Sequence, residues 1–417
     1  MKVMKWSVIA MAVAAGTSQM ALASSQSESE GFVEGSSLTI FNRNLYMNRD
    51  FRGEGQSYRE AWGHGFIGTF ESGFTQGTIG VGVDAIGLLG VKLDSGRDRA
   101  WPDIFPRDSE GKPQDDYSEA GVAVKFRVSD TVLKYGTQFV ALPVFSTDDA
   151  RLLPETAQGG LITSSEIDGL ELNVGRFTAL SAKSEADHDS VGLDEINFVG
   201  GTYAFSDSLS TSLYYSDVKD AFEKIYGNAN YSMGLGDDQS LAFDFNIYQT
   251  EYESEFTGTG SDEDNTIWSL ASTYSLGAHK FTVAYQKSHG GYNTNGYLYG
   301  IDGGGTVWLG NSVQYSDFFY EDEQSWQVRY DLDMAAYGVS GLSFMTRYVD
   351  GSNINMGAGN SDAEESEWDI EAKYVFQEGP AKDLSLRVRQ AFYQATNNLD
   401  RDLSDTRLIV EYPLNIL

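Results

Sequence analysis

From Leu38 to the C-terminus the chain repeats one unit, a stretch of roughly ten residues alternating apolar and polar side chains and then a connector. The segment Leu241-Ala242-Phe243-Asp244-Phe245-Asn246-Ile247-Tyr248 is the plainest instance. Side chains of a strand point to opposite faces with period two, so Leu241, Phe243, Phe245 and Ile247 share one face and Asp244 and Asn246 the other. The same dyad returns from Trp326 to Leu332, from Trp368 to Tyr374 and from Leu384 to Arg389. A soluble sandwich also alternates, and the connectors separate the two cases. Short links such as Ser129-Asp130, Asp168-Gly169 and Gly277-Ala278 take turns with long ones such as Asp94 to Tyr117, Val140 to Gly159 and His289 to Glu323. This rhythm predicts an all-β fold, a transmembrane antiparallel β-barrel with short periplasmic turns and long extracellular loops. The count is about eighteen strands, and an even number puts both termini on one side of the membrane. In hydrocarbon every backbone group must be paired within the protein, so the sheet must close.

Composition looks soluble, with 41% hydrophobic residues and a mean hydropathy of −0.33, and no run approaches the ~20 apolar residues of a membrane helix. A barrel hides its lipid face from such averages because every second residue is polar. The 24 Tyr, 23 Phe and 7 Trp suit interfacial girdles, with Tyr215, Trp268, Trp326 and Trp368 at strand ends. Lys2 and Lys5 precede an apolar stretch, Val8 to Ala15, and Ala21-Leu22-Ala23 is a small-residue cleavage site. The expectation is a cleaved signal peptide, 1–23, and one barrel domain, 24–417. With no cysteine, stability must come from the closed sheet rather than from disulfides. The net charge of −32 is concentrated in loops, as at Glu251, Glu253, Glu255, Asp262, Glu263 and Asp264, which read either as solvated acid or as sites for cations bridging lipopolysaccharide.

Basic residues instead sit inside strands. Setting the apolar face to lipid turns Lys125, Arg127, Arg329, Arg347, Arg387, Arg389 and Arg407 to the lumen. Arg43 is ambiguous, because it shares a face with Phe41 and Leu45. Lys125 and Arg127, like Arg387 and Arg389, form successive rungs about 7 Å apart. Guanidinium forks bind carboxylates bidentately, and a pore lined by them offers anions several weak sites to step between. The alternative role for these cations is to neutralise lumenal carboxylates such as Glu119, Asp331, Asp369, Glu371 and Glu411. One long link, Ala141-Leu142-Pro143-Val144-Phe145 through Leu152-Leu153-Pro154, is too apolar for a free loop. Folded inward it would bury those side chains and put Asp148, Asp149 and Arg151 at a constriction.

The segments Glu71 to Asp84, Asp115 to Lys125, Ser240 to Tyr248, Asn311 to Phe318, Gly379 to Ser385 and Arg407 to Leu417 resemble the OprD family of outer-membrane carboxylate channels. The resemblance implies an eighteen-stranded barrel, an inward third loop and a lumenal basic ladder guiding small carboxylates, amino acids or cyclic and aromatic monocarboxylates. It places Arg151 at the constriction, and Arg387, Arg389 and Arg407 in the ladder. It also implies a lumenal Arg176, although alternation from Leu170 and Leu172 points that residue outward. The lumenal placement is adopted, because arginine facing lipid at the midplane costs roughly 2–4 kcal/mol and a bulge at Gly175 would shift the register.

A hydrolase carried on a barrel is disfavoured, since His64, His188, His279 and His289 do not converge. A plugged structural barrel and an unselective porin remain as alternatives. No cofactor, metal or nucleic-acid motif is present. The expected partners are small carboxylates and outer-membrane lipid with lipopolysaccharide, around a monomer whose weak association stays open.

Overall fold

The computed structural model describes residues 26–100, 104–291, 295–357, 362–396 and 399–417. The proposed signal peptide lies outside the described residues. The first barrel strands are β1 (Ser37–Phe51), β2 (Tyr58–Glu71), β3 (Gly80–Asp94), β4 (Asp116–Val128) and β5 (Thr131–Gln138), and two short strands, β6 (Ala141–Leu142) and β7 (Phe145–Ser146), form a hairpin in the third loop. The barrel continues with β8 (Thr156–Ile167), β9 (Leu170–Ser181), β10 (Ile196–Ser206), β11 (Leu209–Val218), β12 (Phe222–Gly236) and β13 (Gln239–Tyr252). It ends with β14 (Glu263–Leu276), β15 (His279–Gly290), β16 (Gln324–Asp333), β17 (Leu342–Ile354), β18 (Ala363–Val375), β19 (Ser385–Ala395) and β20 (Leu403–Asn415). Each pairs antiparallel with the next, and β1 pairs with β20 from Thr39 opposite Asn415 to Phe51 opposite Leu403, so the eighteen-stranded sheet closes. No described helix is long and apolar enough to cross a membrane; the strands do the crossing.

The dyad expected from the sequence sets the two faces. Val122, Val124 and Phe126 of β4 point out and are exposed, whereas Ala123, Lys125 and Arg127 between them are buried. Trp326, Tyr348 and Trp368 lie outward on neighbouring strands, Trp326 against Tyr348 with centroids 5.6 Å apart, as a girdle requires.

The core of this barrel is inside it. Val144 and Phe145 of the third loop are fully buried among inward residues of the wall, with Phe145 4.7 Å from Phe177 and 5.9 Å from Phe198. Leu152 and Leu153 bury against Leu45, Met47 and Ile67. Gly63 and Gly65 of β2 face this loop, and a Cβ at Gly65 would come within 2.7 Å of the Leu152 carbonyl oxygen. The loop is therefore folded inward, as its apolar sequence predicts.

The link after β2 departs from a simple turn: residues 72–79 fold inward and bury Phe74. The side chain of Gln26 closes over them, its Nε2 donating to the Thr75 and Gly77 carbonyls at 2.8 and 3.1 Å.

Replacing Phe145 by alanine is expected to remove about 3 kcal/mol or more of docking energy from the third loop. Tryptic cleavage after Arg151 in the folded protein should accelerate about a hundredfold, while far-UV circular dichroism stays that of an intact barrel.

Candidate functional site

The lumen is asymmetric. Arg329 on β16, Arg347 on β17, Arg387 and Arg389 on β19, Arg407 on β20 and Arg43 on β1 all face inward, making one wall basic. The register sets Arg389 directly opposite both Glu371 and Arg407, and Arg387 opposite Lys373. Along β18 the inward residues are Glu365, Glu367, Asp369, Glu371 and Lys373, so an acidic file runs beside the arginines.

Most of these cations are already committed. Arg43, ambiguous by pattern, faces inward: Nη1 and Nη2 grip both carboxylate oxygens of Asp149 at 2.7 and 2.9 Å, Nε donates to Glu411 at 3.1 Å, and Nη1 also reaches the Arg151 carbonyl at 2.8 Å. It pins the third loop to β1. Arg347 donates to Asp369 at 2.6 Å, and Arg329 forks onto Asp331. Arg407 donates to Asp405 at 2.9 Å and to the Gln314 carbonyl at 2.7 Å, and Asp405 also takes Arg49 at 2.9 Å.

Arg387 and Arg389 differ. Their closest anion is Glu371, at 3.8 and 3.2 Å, and the buried Nε of each makes no hydrogen bond. Lys373 continues this group, and the alternation from Asp369 and Glu371 already marks it as inward.

Three expected site residues are placed elsewhere. Lys125 and Arg127 do face inward, but they are buried beneath the folded turn. Lys125 pairs with Asp84 at 2.6 Å, Arg127 donates to Gln26 at 2.8 Å, and both lie over the Phe74 ring at 5.0 and 4.3 Å. They hold structure at the periplasmic end rather than line the passage. Arg176 faces outward with Leu172 and Val174, which corrects its lumenal placement. The register break in β9 falls between Phe177 and Ala179, beyond Gly175, so alternation up to Arg176 is unbroken. Near the outer rim an outward arginine costs only about 0–1 kcal/mol, and Glu195 takes its Nη2 at 2.5 Å.

Asp148 and Asp149 part company. Asp148 turns back to Lys183 at 2.5 Å, while the side chain of Asp149, though gripped by Arg43, stays 57% exposed to the lumen. Arg151 sits at the same neck, near Asp317 and Tyr299.

The seventh long loop, 291–323, is the larger surprise. Its described residues run as a belt inside the wall. Asp302 takes the fully buried Lys224 of β12 at 2.5 Å, and the Trp308 amide donates to Tyr248 of β13 at 3.1 Å. The Gly310 and Asn311 amides then donate to Ser269 of β14 and Gln286 of β15, the Tyr315 and Ser316 amides to Glu367 of β18, and Gln314 Nε2 to Asp405 of β20. The belt meets the third loop where Gly303 (φ 96°) lies so close to Ser146 that a Cβ would sit 2.0 Å from its carbonyl oxygen. The triplet Gly303-Gly304-Gly305, followed by Val307-Trp308-Leu309, was the available signal: glycines for close approach and apolar residues unsuited to a free loop.

The acidic loops carry no built cation site, since among the described residues no group of three or more His, Asp and Glu is placed to hold an ion.

Where the belt enters β16, Glu323 is fully buried with an unbonded Oε1, and burial, then the charge of Glu365, pushes its carboxyl well above the usual range. A carboxyl raised on docking binds its proton more tightly in the docked state. Its contribution is therefore complete below the free glutamate value of about 4.3 and is lost as pH rises through the docked value. Opening fluctuations of the single-channel current should become more frequent as pH rises from about 4 to 8, and Glu323→Gln should flatten that dependence. A profile unchanged by the substitution would remove Glu323 from the account.

The family model described as outer membrane porin, OprD family, matches residues 30–416. Porin D of Pseudomonas aeruginosa is 47% identical over an alignment of 451 positions that covers both chains completely. The crystal structure of Acinetobacter baumannii OccAB1 superposes with a TM-score of 0.90 at 32% identity, covering 94% of this chain and 100% of that one. The structure of Pseudomonas aeruginosa OpdK with vanillate does so at 0.83 and 34%, covering 92% and 100%. A closed eighteen-stranded barrel, two loops folded into its lumen and a basic inner wall thus accompany a full-length family match: the chain belongs to the OprD family of outer-membrane porins, channels of the Gram-negative outer membrane.

Proposed function

We propose that this channel passes small solutes bearing a carboxylate, amino acids or cyclic and aromatic monocarboxylates, along the β19 side of the basic wall. The observation that carries the reading is the pair Arg387 and Arg389, successive rungs on the lumen face whose guanidinium groups approach Glu371 without a hydrogen bond. Their donors are unspent, whereas Arg43 is hydrogen-bonded to Asp149 of the third loop, and Arg347 and Arg407 to Asp369 and Asp405 of the wall. A carboxylate descending past the neck and the committed Arg407 meets Arg389, then Arg387 with Lys373, each of these rungs a weak anion site of the kind conduction requires. OpdK, with vanillate in its structure, is a relative holding an aromatic carboxylate.

Asp149 adds a second feature. Its carboxylate stays exposed at the neck, so a solute with an ammonium as well as a carboxylate finds an anion there and cations on the wall. The same residue is engaged by Arg43, which keeps its attraction for the ammonium weak.

Single-channel recording in a planar bilayer tests the reading. Benzoate, glutamate and arginine at millimolar concentration should each block the current of the native channel. The Arg387→Ala, Arg389→Ala double variant should weaken that block about tenfold or more, the scale of one or two charge-assisted contacts. A silent bilayer would favour a plugged barrel, and current indifferent to solute and to both arginines would favour an unselective pore.

Asp149→Asn should reduce the block by arginine more than the block by benzoate. Equal losses for both solutes would show that Asp149 acts only through its hold on Arg43.

A further inference from the structure

The third loop enters the lumen as a smaller loop within itself. Asp148 and Glu155 form its base: the Asp148 amide donates to Glu155 Oε2 at 2.8 Å, and the Glu155 amide donates to the Asp148 carbonyl at 2.9 Å. Residues 149–154 run between them, carry Asp149 and Arg151 to the neck, and seat Leu152 and Leu153 against β1 and β2. Arg43 holds this tip from the wall, through the Asp149 carboxylate and the Arg151 carbonyl.

The base is held by a different cation. Lys183 lies two residues beyond the end of β9, and its Nζ is 2.5 Å from Asp148 Oδ2 and 3.8 Å from Glu155 Oε1. One ammonium thus sits between the carboxylates of both ends. The three side chains are nearly out of water, Lys183, Asp148 and Glu155 keeping 14%, 16% and 5% of their surfaces exposed. The seventh loop passes directly over the group. The Gly304 amide donates to Glu155 Oε2 at 2.9 Å, and a Cβ at Gly304 would come within 3.1 Å of Lys183 Nζ.

Lys183 stands on a firm mount. Its carbonyl lies 3.1 Å from the hydroxyl of the buried Tyr117 of β4, whose one proton it shares with the Ile104 carbonyl at 3.0 Å. The fourth loop, 182–195, is tied down by Asp189, which accepts the Leu180, Gly192 and Leu193 amides, and by Ser190, which accepts the Ala182 amide at 2.8 Å.

Two carboxylates buried side by side repel each other and lose hydration, and an ammonium between them offsets both effects. Without it they are unpaired charges away from water, the costly half of a broken ion group. They regain hydration only by swinging into the lumen, and residues 149–154 must move with them.

We propose that Lys183 is a positioning residue for conduction. From the fourth loop it staples the base of the 148–155 segment, so that Asp149 and Arg151 stand at fixed places in the neck and the third and seventh loops stay joined. The role does not depend on which solute passes.

Single-channel recording in potassium chloride alone, with no organic solute, tests it. Lys183→Met keeps the length of the side chain and removes its charge. Its open current should fluctuate about tenfold more often than that of the native channel, and its reversal potential in a salt gradient should shift toward cations as the two carboxylates enter the neck. Lys183→Arg, which keeps charge and reach, should be near native. The triple variant Lys183→Met, Asp148→Asn, Glu155→Gln leaves no unpaired charge and should recover a steady current. Tryptic cleavage after Arg151 should follow the same order, fast in Lys183→Met and slow in the other two. Thermal unfolding of the barrel, read by far-UV circular dichroism, should be alike in all four proteins. Steady current in Lys183→Met would show that Arg43 and the buried leucines suffice to place the segment. A triple variant as unsteady as Lys183→Met would make the packing of the lysine stem the cause. A shifted reversal potential without added fluctuation would make Lys183 a fixed charge of the pore and not a strut. Each of these results overturns the proposal, as does a lowered unfolding temperature accompanying the fluctuation, which would mark a general loss of structure.

Discussion

Everything in this molecule follows from the requirement that no backbone amide or carbonyl be left unpaired in hydrocarbon. Eighteen antiparallel strands meet it only because β20 returns to β1 over thirteen register pairs, Thr39–Asn415 through Phe51–Leu403. Closure fixes the diameter, and at this strand number the lumen is far too wide to be filled by wall side chains alone. The protein fills it with its own loops. The third loop brings Val144, Phe145, Leu152 and Leu153 inward, and the seventh brings Tyr297, Leu309 and Phe318, all of them buried. The apolar core of this membrane protein is therefore a plug of loop residues against the inner wall, and the outer face is left to lipid.

Filling a polar lumen with loop backbone creates a second accounting problem, solved largely by wall side chains. Lys224, Tyr248, Ser269, Gln286, Gln327, Glu367 and Arg407 each bond the seventh loop, most of them through its backbone. Arg43 does the same for the third loop at the Arg151 carbonyl. Several charges that look like conduction sites are thereby spent on holding the loops, and what remains for solutes is decided by subtraction. Among the described residues no loop group bonds Arg387 or Arg389, and Glu371, which approaches both, hydrogen-bonds neither.

The fold was legible because its code is local. Period-two alternation and the short-long order of connectors yield strand count, closure and inward loop without any long-range information. The lumen was legible only in part. Facing can be read from parity, and for Arg387, Arg389 and Arg407 parity was right. Parity does not say what lies over a residue, and Lys125 and Arg127 point inward yet are sealed by Phe74 and Gln26, segments far away in sequence. Arg176 shows the opposite hazard, since its strand alternates without a break and family likeness argued against that local evidence. The inward seventh loop had a signal in Gly303-Gly304-Gly305 and Val307-Trp308-Leu309, but its length alone does not tell a loop that enters the pore from one that stays outside.

The overall charge makes the basic wall more informative, not less. A chain of net −32 has no general surplus of cations to place anywhere, so six inward arginines on β16 to β20 and β1 reflect a local requirement. Pure neutralisation would pair each with its own carboxylate, as Arg329 with Asp331 and Arg347 with Asp369. Arg387, Arg389 and Lys373 instead crowd around Glu371, an excess of positive charge on the inner wall. Such an excess is unfavourable to the empty barrel through mutual repulsion, and a mobile anion relieves it. Repulsion among the rungs also keeps any one of them from holding that anion long, which is the condition for passage rather than capture.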